Sequence, residues 1–292
     1  MTDATRFTDE DVRRFREDGF VVVEQLFNAD DLRRIDAVIN EVTDTALASG
    51  DYSDVLELEP ADTEGQPVAR RIYNPFHQHQ VFADMATDPR ILDGVEKFFG
   101  PGIALHHSKL NMKPAKVGSV VEWHQDLSYF PHTNDDLLAA LVYIDDATIE
   151  NGCLQVIPRQ HHGYLKHENP DGTFAGMITE DLDDGSHGTP VPLPAPGGSV
   201  IFMHALAPHS SLPNRSPQPR RTLIFEYRAA DAFPIEFGNQ LTKTNQSSVM
   251  LRGEQPRFAR LGKIAPLIPV FPEAVSSLYD LQMKSRDRRE KV

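Results

Sequence analysis

The segment VEWHQDLSYF (121–130) places a histidine and a carboxylate two residues apart, at His124 and Asp126. Its apolar and aromatic residues predict a β-strand, in which residues i and i+2 project from the same face. Two histidines and one carboxylate form the metal site of non-haem Fe(II) oxygenases, and this pair supplies two of those three ligands. The pair therefore predicts part of a metal site, although a buried histidine satisfied by a neighbour has the same pattern.

A third ligand must come from a distant part of the chain, which contains 12 histidines. The downstream candidates are His132, His161, His162, His167, His187, His204 and His209. Most of them fall in predicted turns or loops, whereas His204 and His209 closely follow the strand-like segment GSVIFM. These two histidines are therefore the main alternatives for the third ligand.

A cation close to the metal would allow the site to bind a co-substrate that carries carboxylates, and arginine suits this role best because it binds a carboxylate bidentately. Arg220 opens the strand-like segment RRTLIFEYR, whereas Arg215 lies in a proline-rich segment that predicts exposure. Eleven residues separate His209 from Arg220, and eleven separate His204 from Arg215. The spacing leaves both combinations open, and the position in a strand favours Arg220.

The segments HSKLNMKP, WHQD, ENGCLQVIP and GGSVIFMHALAPHSSLPNRSPQPRR, taken together, resemble the phytanoyl-CoA dioxygenase family. The resemblance covers most of the chain, about residues 10–230. It implies a mainly β protein with helices, in which N-terminal helices support a double-stranded β-helix (a jelly-roll, cupin-like core). It also implies Fe(II) as the cofactor, with 2-oxoglutarate and O2 as co-substrates.

The order of the family's motifs implies which residues bind iron. By this resemblance, His124, Asp126 and His209 are the ligands, and His204 is a histidine that does not bind the metal. Relatives that halogenate carry a small residue in place of the carboxylate. Asp126 therefore favours a hydroxylase over a halogenase.

The resemblance also implies the residues that hold 2-oxoglutarate. Arg220 would pair with its distal carboxylate, and Ser211 would donate a hydrogen bond to it. Asn111 and Lys109 lie on one face of the strand before the His-x-Asp pair and would also contact the co-substrate. His107 shares that face, at a position where relatives often carry glutamine.

The implied reaction oxidises an unactivated C–H bond of a small-molecule metabolite and releases succinate and CO2 from 2-oxoglutarate. Candidates for the substrate pocket are Trp123, Tyr129, Phe130, His132, Arg71 and Arg228. The aromatic residues among them are equally suited to packing at the rim of the barrel. Alternative functions are a non-catalytic ligand-binding relative, a cupin-like metal enzyme without a co-substrate, and an oxygenase of fatty acyl-CoA.

The chain is expected to form one domain over residues 1–292. Helices are predicted mainly in residues 1–100 and the β-helix core mainly in residues 101–235. The polar, glycine-rich segment 163–193 suggests a lid, and the charged segment 285–292 predicts a flexible, frayed tail.

Local signals mark the elements of the N-terminal part. Thr8 and the acidic residues after it predict the start of a helix that ends near Gly19, and residues 20–27 predict a strand. Asn28 is a plausible cap for a long amphipathic helix. Residues 88–100 predict a further helix, with proline just inside its start and glycine at its end.

Composition narrows the class of partner and the compartment. The formal net charge of −14 argues against a nucleic-acid partner, because an acidic surface repels the phosphate backbone. The single cysteine, Cys153, suits a reducing cytoplasm. The chain shows no apolar run of membrane-spanning length and no secretion signal, so neither a membrane nor an export route is expected.

Overall fold

The computed structural model describes residues 7–59, 68–235, 248–272, 275 and 277–289. Its helices are α1 (Asp9–Asp18), α2 (Ala29–Ser49), α3 (Pro75–Gln78), α4 (Gln80–Ala86), α5 (Pro89–Phe99) and α6 (Leu278–Arg289). Its strands are β1 (Phe20–Val23), β2 (Leu56–Leu58), β3 (Ala69–Tyr73), β4 (Ile103–Lys113), β5 (Val121–His124), β6 (Leu137–Tyr143), β7 (Leu154–Val156), β8 (Val191–Pro192), β9 (Val200–His204), β10 (His209–Ser211), β11 (Arg220–Ala229) and β12 (Val249–Arg252).

The strands form two antiparallel sheets. The large sheet has eight strands in the order β1-β9-β6-β11-β4-β3-β2, with β12 also paired to β4. The small sheet has four strands in the order β5-β10-β7-β8. Side chains from both sheets line one cavity, so the sheets face each other across it.

Alternation along β11 explains why the inner face of the large sheet carries polar groups. Leu223 and Phe225 point outwards into a buried apolar cluster that they share with α1, α2, α4 and α5. Thr222 and Ile224, at the intervening positions, face the cavity. The helices thus cover one face of the sheet, and the cavity receives the side chains of the other face.

The predicted helix boundaries in the N-terminal part are confirmed. Thr8 caps α1 and forms a capping box with Asp11, and Gly19 ends the helix in the left-handed region with a φ of 86°. Asn28 accepts hydrogen bonds from the first turn of α2. The helix predicted over residues 88–100 is α5, with Pro89 in its first turn.

Two predictions of local structure are wrong. The strand expected over residues 20–27 ends at Val23, because the chain turns there and Gln25 adopts a positive φ of 50°. The frayed tail expected from residue 285 is helical up to Arg289, in α6. Leu281 anchors that helix, since its side chain is fully buried. Residues 290–292 lie outside the described part of the chain.

The segment predicted as a lid contains little regular structure beyond the short strand β8. Its middle part packs into the protein, since Phe174, Ala175, Met177 and Ile178 are buried. Its acidic part, about residues 181–186, is mostly exposed. Movement of this segment over the site stays a prediction.

The longest described helix, α2, has 21 residues. Charged residues are spread along it, so its apolar residues form one face only. Among the described residues, no helix is both long enough and apolar enough to cross a lipid bilayer.

Candidate active site

Three side chains predicted to bind a metal converge at the inner face of the small sheet. The Nε2 atom of His124 lies 3.6 Å from Asp126 Oδ1, and the Nε2 atom of His209 lies 3.7 Å from Asp126 Oδ2. All three residues are buried, and their ligand atoms lie within 4.8 Å of one another. Within the described part of the chain, this is the one group of three such side chains that can hold a metal ion.

Strand pairing brings the two histidines together across more than eighty residues of sequence. His209 in β10 is the direct cross-strand partner of His124 in β5, and their ring centroids are 4.1 Å apart. The strand β5 ends at His124, two residues before Asp126, and Asp126 begins a one-turn 3-10 helix. Gln125 nevertheless has extended dihedral angles (φ −119°, ψ 125°), so the predicted i, i+2 relation holds.

Hydrogen bonds orient both imidazoles for metal binding. The Nδ1 atom of His124 lies 2.7 Å from the carbonyl oxygen of Glu122, and that of His209 lies 3.0 Å from the carbonyl oxygen of Ala207. Each Nδ1 must donate to its carbonyl, which leaves the Nε2 lone pair free for a metal. Burial and the neighbouring His124 lower the pKa of His209 to about 3, so His209 is neutral at pH 7. The donor set fits a divalent metal ion.

The carboxylate of Asp126 is ionised despite its burial. Burial alone would raise its pKa, but Lys109 and His209 outweigh that effect and hold the pKa well below its usual range. Lys109 Nζ lies 3.4 Å from Asp126 Oδ1 and 3.1 Å from Glu226 Oε1. Burial and the charge of Asp126 raise the pKa of Glu226 to about 7. One ammonium group is therefore shared between two buried carboxyl groups.

Arg220 is buried and has no anionic partner among the described residues. Its Nη1 donates to Thr222 Oγ1 (2.6 Å) and its Nη2 donates to the carbonyl oxygen of Gly152 (2.7 Å). Its Nε has no hydrogen-bond partner among the described residues, and burial lowers its pKa. A buried cation with an unused donor calls for an anion, because an unpaired charge is costly in the interior. The carboxylate of 2-oxoglutarate fits this position.

The cavity between the sheets is small, with a volume of about 50 Å³. It joins the three candidate metal ligands to the residues predicted to hold 2-oxoglutarate, which are Arg220, Ser211, Asn111 and Lys109. Arg71, which was predicted to contact the substrate, also lines this cavity and donates a hydrogen bond to Asn111 Oδ1 (3.0 Å). The geometry groups Arg71 with the co-substrate residues.

Several polar residues of this cavity and its surroundings were not predicted. Lys113 donates to the carbonyl oxygen of Leu212 (2.7 Å), and burial and Arg220 lower its pKa to about 6. Thr222 and Glu226 occupy inward positions of β11. The alternation that singled out Lys109 and Asn111 also applies to these three residues and could have found them.

The C-terminal helix α6 closes one side of the cavity through Tyr279. The ring of Tyr279 lies 4.0 Å from the guanidinium carbon of Arg70 and 5.3 Å from that of Arg71. Gln282 accepts a hydrogen bond from the backbone N–H of Glu122 (3.2 Å) and donates one to the loop after β7 (2.7 Å). No local sequence signal indicates this role, and the predicted tail, residues 285–292, does not include these two residues.

Tyr129 and Trp123, both predicted to line the substrate pocket, differ in their position relative to the candidate metal ligand His124. Tyr129 packs edge-to-face on His124 (5.8 Å between centroids), and its hydroxyl donates to the carbonyl oxygen of Gly176. Trp123 is half-buried and its carbonyl oxygen accepts from Ile178 N (2.7 Å). Tyr129 thus lies beside a candidate ligand, whereas Trp123, one residue from His124 on β5, projects from the opposite face.

Phe130 and His132 belong to a buried aromatic group with two histidines of β4. The ring of Phe130 lies 4.9 Å from His106 and 5.2 Å from His107, and His132 lies 4.8 Å from His106. His132 Nδ1 donates to the carbonyl oxygen of Phe130 (2.7 Å). These residues pack around His107, beside the metal site, and do not line the cavity itself.

The remaining candidates lie away from the cavity. Arg228 donates to the carbonyl oxygens of Ala230 (2.8 Å) and Ala232 (2.9 Å), so its guanidinium stabilises a turn and the geometry does not support contact with substrate. His204 lies beside His161, with 5.2 Å between the ring centroids. The structure therefore brings His209, and not His204, to Asp126.

Comparisons with known proteins agree with this geometry. The profile described as phytanoyl-CoA dioxygenase (PhyH) matches residues 15–222. A probable alpha-ketoglutarate-dependent hypophosphite dioxygenase of Stutzerimonas stutzeri is 30% identical over 267 residues, which cover 89% of this chain and 91% of that protein. An ectoine dioxygenase of Sphingopyxis alaskensis is 30% identical over 278 residues (88% and 87%).

Solved structures show the same fold. The apoform of EctD from S. alaskensis superposes with a TM-score of 0.69 at 26% identity and covers 92% of this chain and 91% of that one. The same enzyme was solved with 2-oxoglutarate and 5-hydroxyectoine, and that structure matches with a TM-score of 0.65 at 23% identity (92% and 91%). The predicted jelly-roll fold and the predicted cofactors are confirmed. The chain belongs to the phytanoyl-CoA dioxygenase family and is an Fe(II)- and 2-oxoglutarate-dependent dioxygenase.

Proposed function

We propose that this protein hydroxylates a C–H bond, or oxidises an equivalent bond, of a small polar metabolite. One atom of O2 enters the substrate and the other enters the succinate that forms, with CO2, from 2-oxoglutarate. The observation that carries the proposal is the meeting, in one cavity, of three candidate metal ligands and a buried arginine that has no anionic partner among the described residues.

His124, Asp126 and His209 would hold the iron in this proposal. Hydrogen bonds to backbone carbonyls orient both imidazoles, and the lowered pKa values of His209 and Asp126 keep that imidazole neutral and that carboxylate ionised, which are the forms that bind a metal. The bound iron supplies the activation of O2, and the protein supplies orientation and shelter from water. A carboxylate at position 126 occupies the place that a halide would need, which favours hydroxylation over halogenation.

Arg220 would pair with the distal carboxylate of 2-oxoglutarate, with Ser211 as a second donor. Asn111 and Lys109 would contact the co-substrate closer to the metal. Arg71 supports Asn111 through its hydrogen bond and would add a further positive charge to the same wall. Of these three cations, Arg220 alone has no carboxylate partner among the described residues, whereas Arg71 is paired with Glu57 (3.6 Å) and Lys109 with Asp126 and Glu226. Arg220 therefore suits the distal carboxylate best.

A small polar substrate is favoured over a fatty acyl-CoA. The relatives that cover most of this chain are named for hypophosphite and ectoine, and a further relative, 25% identical, is named a methylphosphonate hydroxylase. The human peroxisomal phytanoyl-CoA dioxygenase is 28% identical over 76% of this chain and 68% of its own length. The residues around the candidate metal, including Lys109, Glu226 and His107, are polar and buried, which suits a hydrophilic substrate.

The experiment that tests the proposal measures succinate formation with Fe(II), 2-oxoglutarate and O2 in the presence of hypophosphite, ectoine, methylphosphonate and related compounds. A compound that stimulates succinate formation, and that gains one oxygen atom by mass spectrometry, supports the proposal. If no compound in a broad panel stimulates succinate formation, the non-catalytic alternative is favoured, and if Mn(II)-loaded protein fails to bind 2-oxoglutarate in a direct titration, a cupin-like metal enzyme without a co-substrate is favoured.

The cytoplasm is the compartment that we propose for this activity. The support is compositional and local: the chain has one cysteine, and Cys153 is a free, buried thiol. A chain without disulfides is typical of a reducing compartment.

A further inference from the structure

Glu226 is a buried carboxylate outside the three-ligand group. It lies at an inward position of β11, in an otherwise apolar part of the strand, and it is fully buried. Neither of its oxygens has a hydrogen bond of good geometry among the described residues, although Oε1 forms an ion pair with Lys109 at 3.1 Å. Burial of such a group is costly, so its presence indicates a role in the charge balance of the site.

Lys109 bridges Glu226 and Asp126, and Asp126 also acts on Glu226 directly, since its charge raises the pKa of Glu226. The Lys109 ammonium lies between two carboxyl groups, 3.1 Å from Glu226 and 3.4 Å from Asp126. In the metal-free protein, Lys109 therefore neutralises part of the charge on Asp126. A metal ion bound to Asp126 must compete with that interaction, and its positive charge repels the ammonium at short range.

We propose that Glu226 is a positioning residue that draws the Lys109 ammonium away from Asp126 and thereby strengthens metal binding. The inference rests on the proposed metal site of His124, Asp126 and His209. When Asp126 coordinates the metal, Glu226 remains as the counter-ion that keeps Lys109 charged and in place. Without this carboxylate, Lys109 would have Asp126 as its remaining partner in the site and would compete directly with the metal.

A purely structural role for the Glu226–Lys109 pair makes a different prediction. In that case Glu226→Gln would remove one of the two carboxylates that balance the buried Lys109 ammonium and would destabilise the fold, whatever the state of the metal site. The double variant, which also lacks the Lys109 ammonium, would then bind the metal no more tightly than Glu226→Gln does. The two roles are separated by whether a second substitution, at Lys109, rescues metal affinity.

The test measures Mn(II) affinity of the full chain by electron paramagnetic resonance of the free ion, without substrate. Glu226→Gln is expected to weaken binding by about 10-fold or more, the usual effect of losing a partner that supports a metal ligand. Lys109→Met should bind Mn(II) at least as tightly as the unmodified protein. The double variant Glu226→Gln/Lys109→Met should return to within about threefold of it, because the competing ammonium is then absent and the two substitutions are coupled through it.

Two controls keep the outcomes distinct. Glu59→Gln removes another buried carboxylate, one that accepts a hydrogen bond from Ser119 Oγ (2.6 Å), and should leave Mn(II) affinity unchanged. His209→Ala should abolish binding, and if it does not, the proposed metal site itself is wrong. If His209→Ala abolishes binding but Glu226→Gln has no effect, or the double variant stays as weak as Glu226→Gln, the inference is overturned. A loss of affinity in Lys109→Met also overturns it, and this variant decides the matter if Glu226→Gln does not fold.

Discussion

Two buried charges face the interior from the same strand, Arg220 at the start of β11 and Glu226 six residues later. Six residues of extended chain span about 20 Å, so the two charges stand at opposite ends of the site. Among the described residues, the Arg220 guanidinium donates to two neutral oxygens and keeps one unused donor, whereas Glu226 already has a cation beside it. The Arg220 end can therefore pair with the negative charge of a ligand, whereas the Glu226 end is already paired with a cation of the protein.

This difference indicates how the two ends respond to substitution. Loss of Arg220 should affect a ligand that is absent from the free protein, and loss of Glu226 should affect a neighbouring protein side chain. The metal ligands lie between the two ends and connect them.

The largest effect is expected at the metal ligands, because both ends depend on them. His124→Ala, Asp126→Ala or His209→Ala should each abolish tight Fe(II) binding in an anaerobic titration, since each removes one of three protein ligands. His204→Ala is the matched control, because His204 lies beside His161 and should leave binding intact. Retained binding in the first three variants, or loss in the control, would mean that the metal lies elsewhere.

The next largest effect is expected at Arg220, on the affinity for 2-oxoglutarate. Arg220→Met should weaken 2-oxoglutarate binding to Mn(II)-loaded protein by about 100-fold or more, because removing one partner of a buried charge pair costs about 3–5 kcal/mol. Metal affinity should not change. Arg221→Met is the matched control, since Arg221 pairs with Asp145 at 2.6 Å on the other face. Calorimetric titration measures the affinity for 2-oxoglutarate and for metal in both variants. Equal losses of 2-oxoglutarate affinity in the two variants would contradict the assignment of Arg220 to the distal carboxylate.

A smaller effect is expected on the pH dependence of stability, because His167 is buried in its neutral form. Burial lowers the pKa of His167 to about 4, below its value of about 6.5 in the unfolded chain, so the unfolded chain binds more protons between these values. His167 therefore contributes stability above about pH 6.5 that is lost as the pH falls towards 4. Urea unfolding of the metal-free protein at several pH values should show this loss as a fall in the free energy of unfolding. His167→Gln should reduce the slope of that free energy against pH by up to about 1.4 kcal/mol per pH unit. An unchanged slope would contradict the assignment.

The smallest effect is expected at the helix that covers the cavity. Tyr279→Ala should weaken 2-oxoglutarate binding by about fivefold, since Tyr279 packs on Arg70 and Arg71 and such cation–π contacts contribute about 1 kcal/mol. Tyr279→Phe keeps the ring and should bind nearly as well as the unmodified protein. The same titration measures both variants, and an equal effect of the two would point to the hydroxyl and not to the ring.

Local signals in the sequence were sufficient for much of the fold. Thr8, Gly19 and Asn28 mark helix ends because capping depends on neighbouring residues alone. Alternation along β4 placed Lys109 and Asn111 on the face that lines the cavity. These predictions hold because each depends on a few adjacent positions.

The remaining features depend on contacts between distant segments. His209 lies in a three-residue strand, and its pairing with His124 sets it apart from His204, which spacing alone could not do. The helix α6 is charged and weakly amphipathic, and its order follows from the burial of Leu281 in the body of the protein. The role inferred for Glu226 depends on its ion pair with Lys109 on the neighbouring strand β4, which the sequence around Glu226 does not indicate.

A crystal structure of the full chain with Mn(II) and 2-oxoglutarate, prepared without O2, tests the central claim most directly. The expected result is a metal bound by His124 Nε2, Asp126 and His209 Nε2, with the distal carboxylate of 2-oxoglutarate paired to Arg220. A metal bound at another group of side chains, or a co-substrate whose distal carboxylate lies away from Arg220, would contradict it.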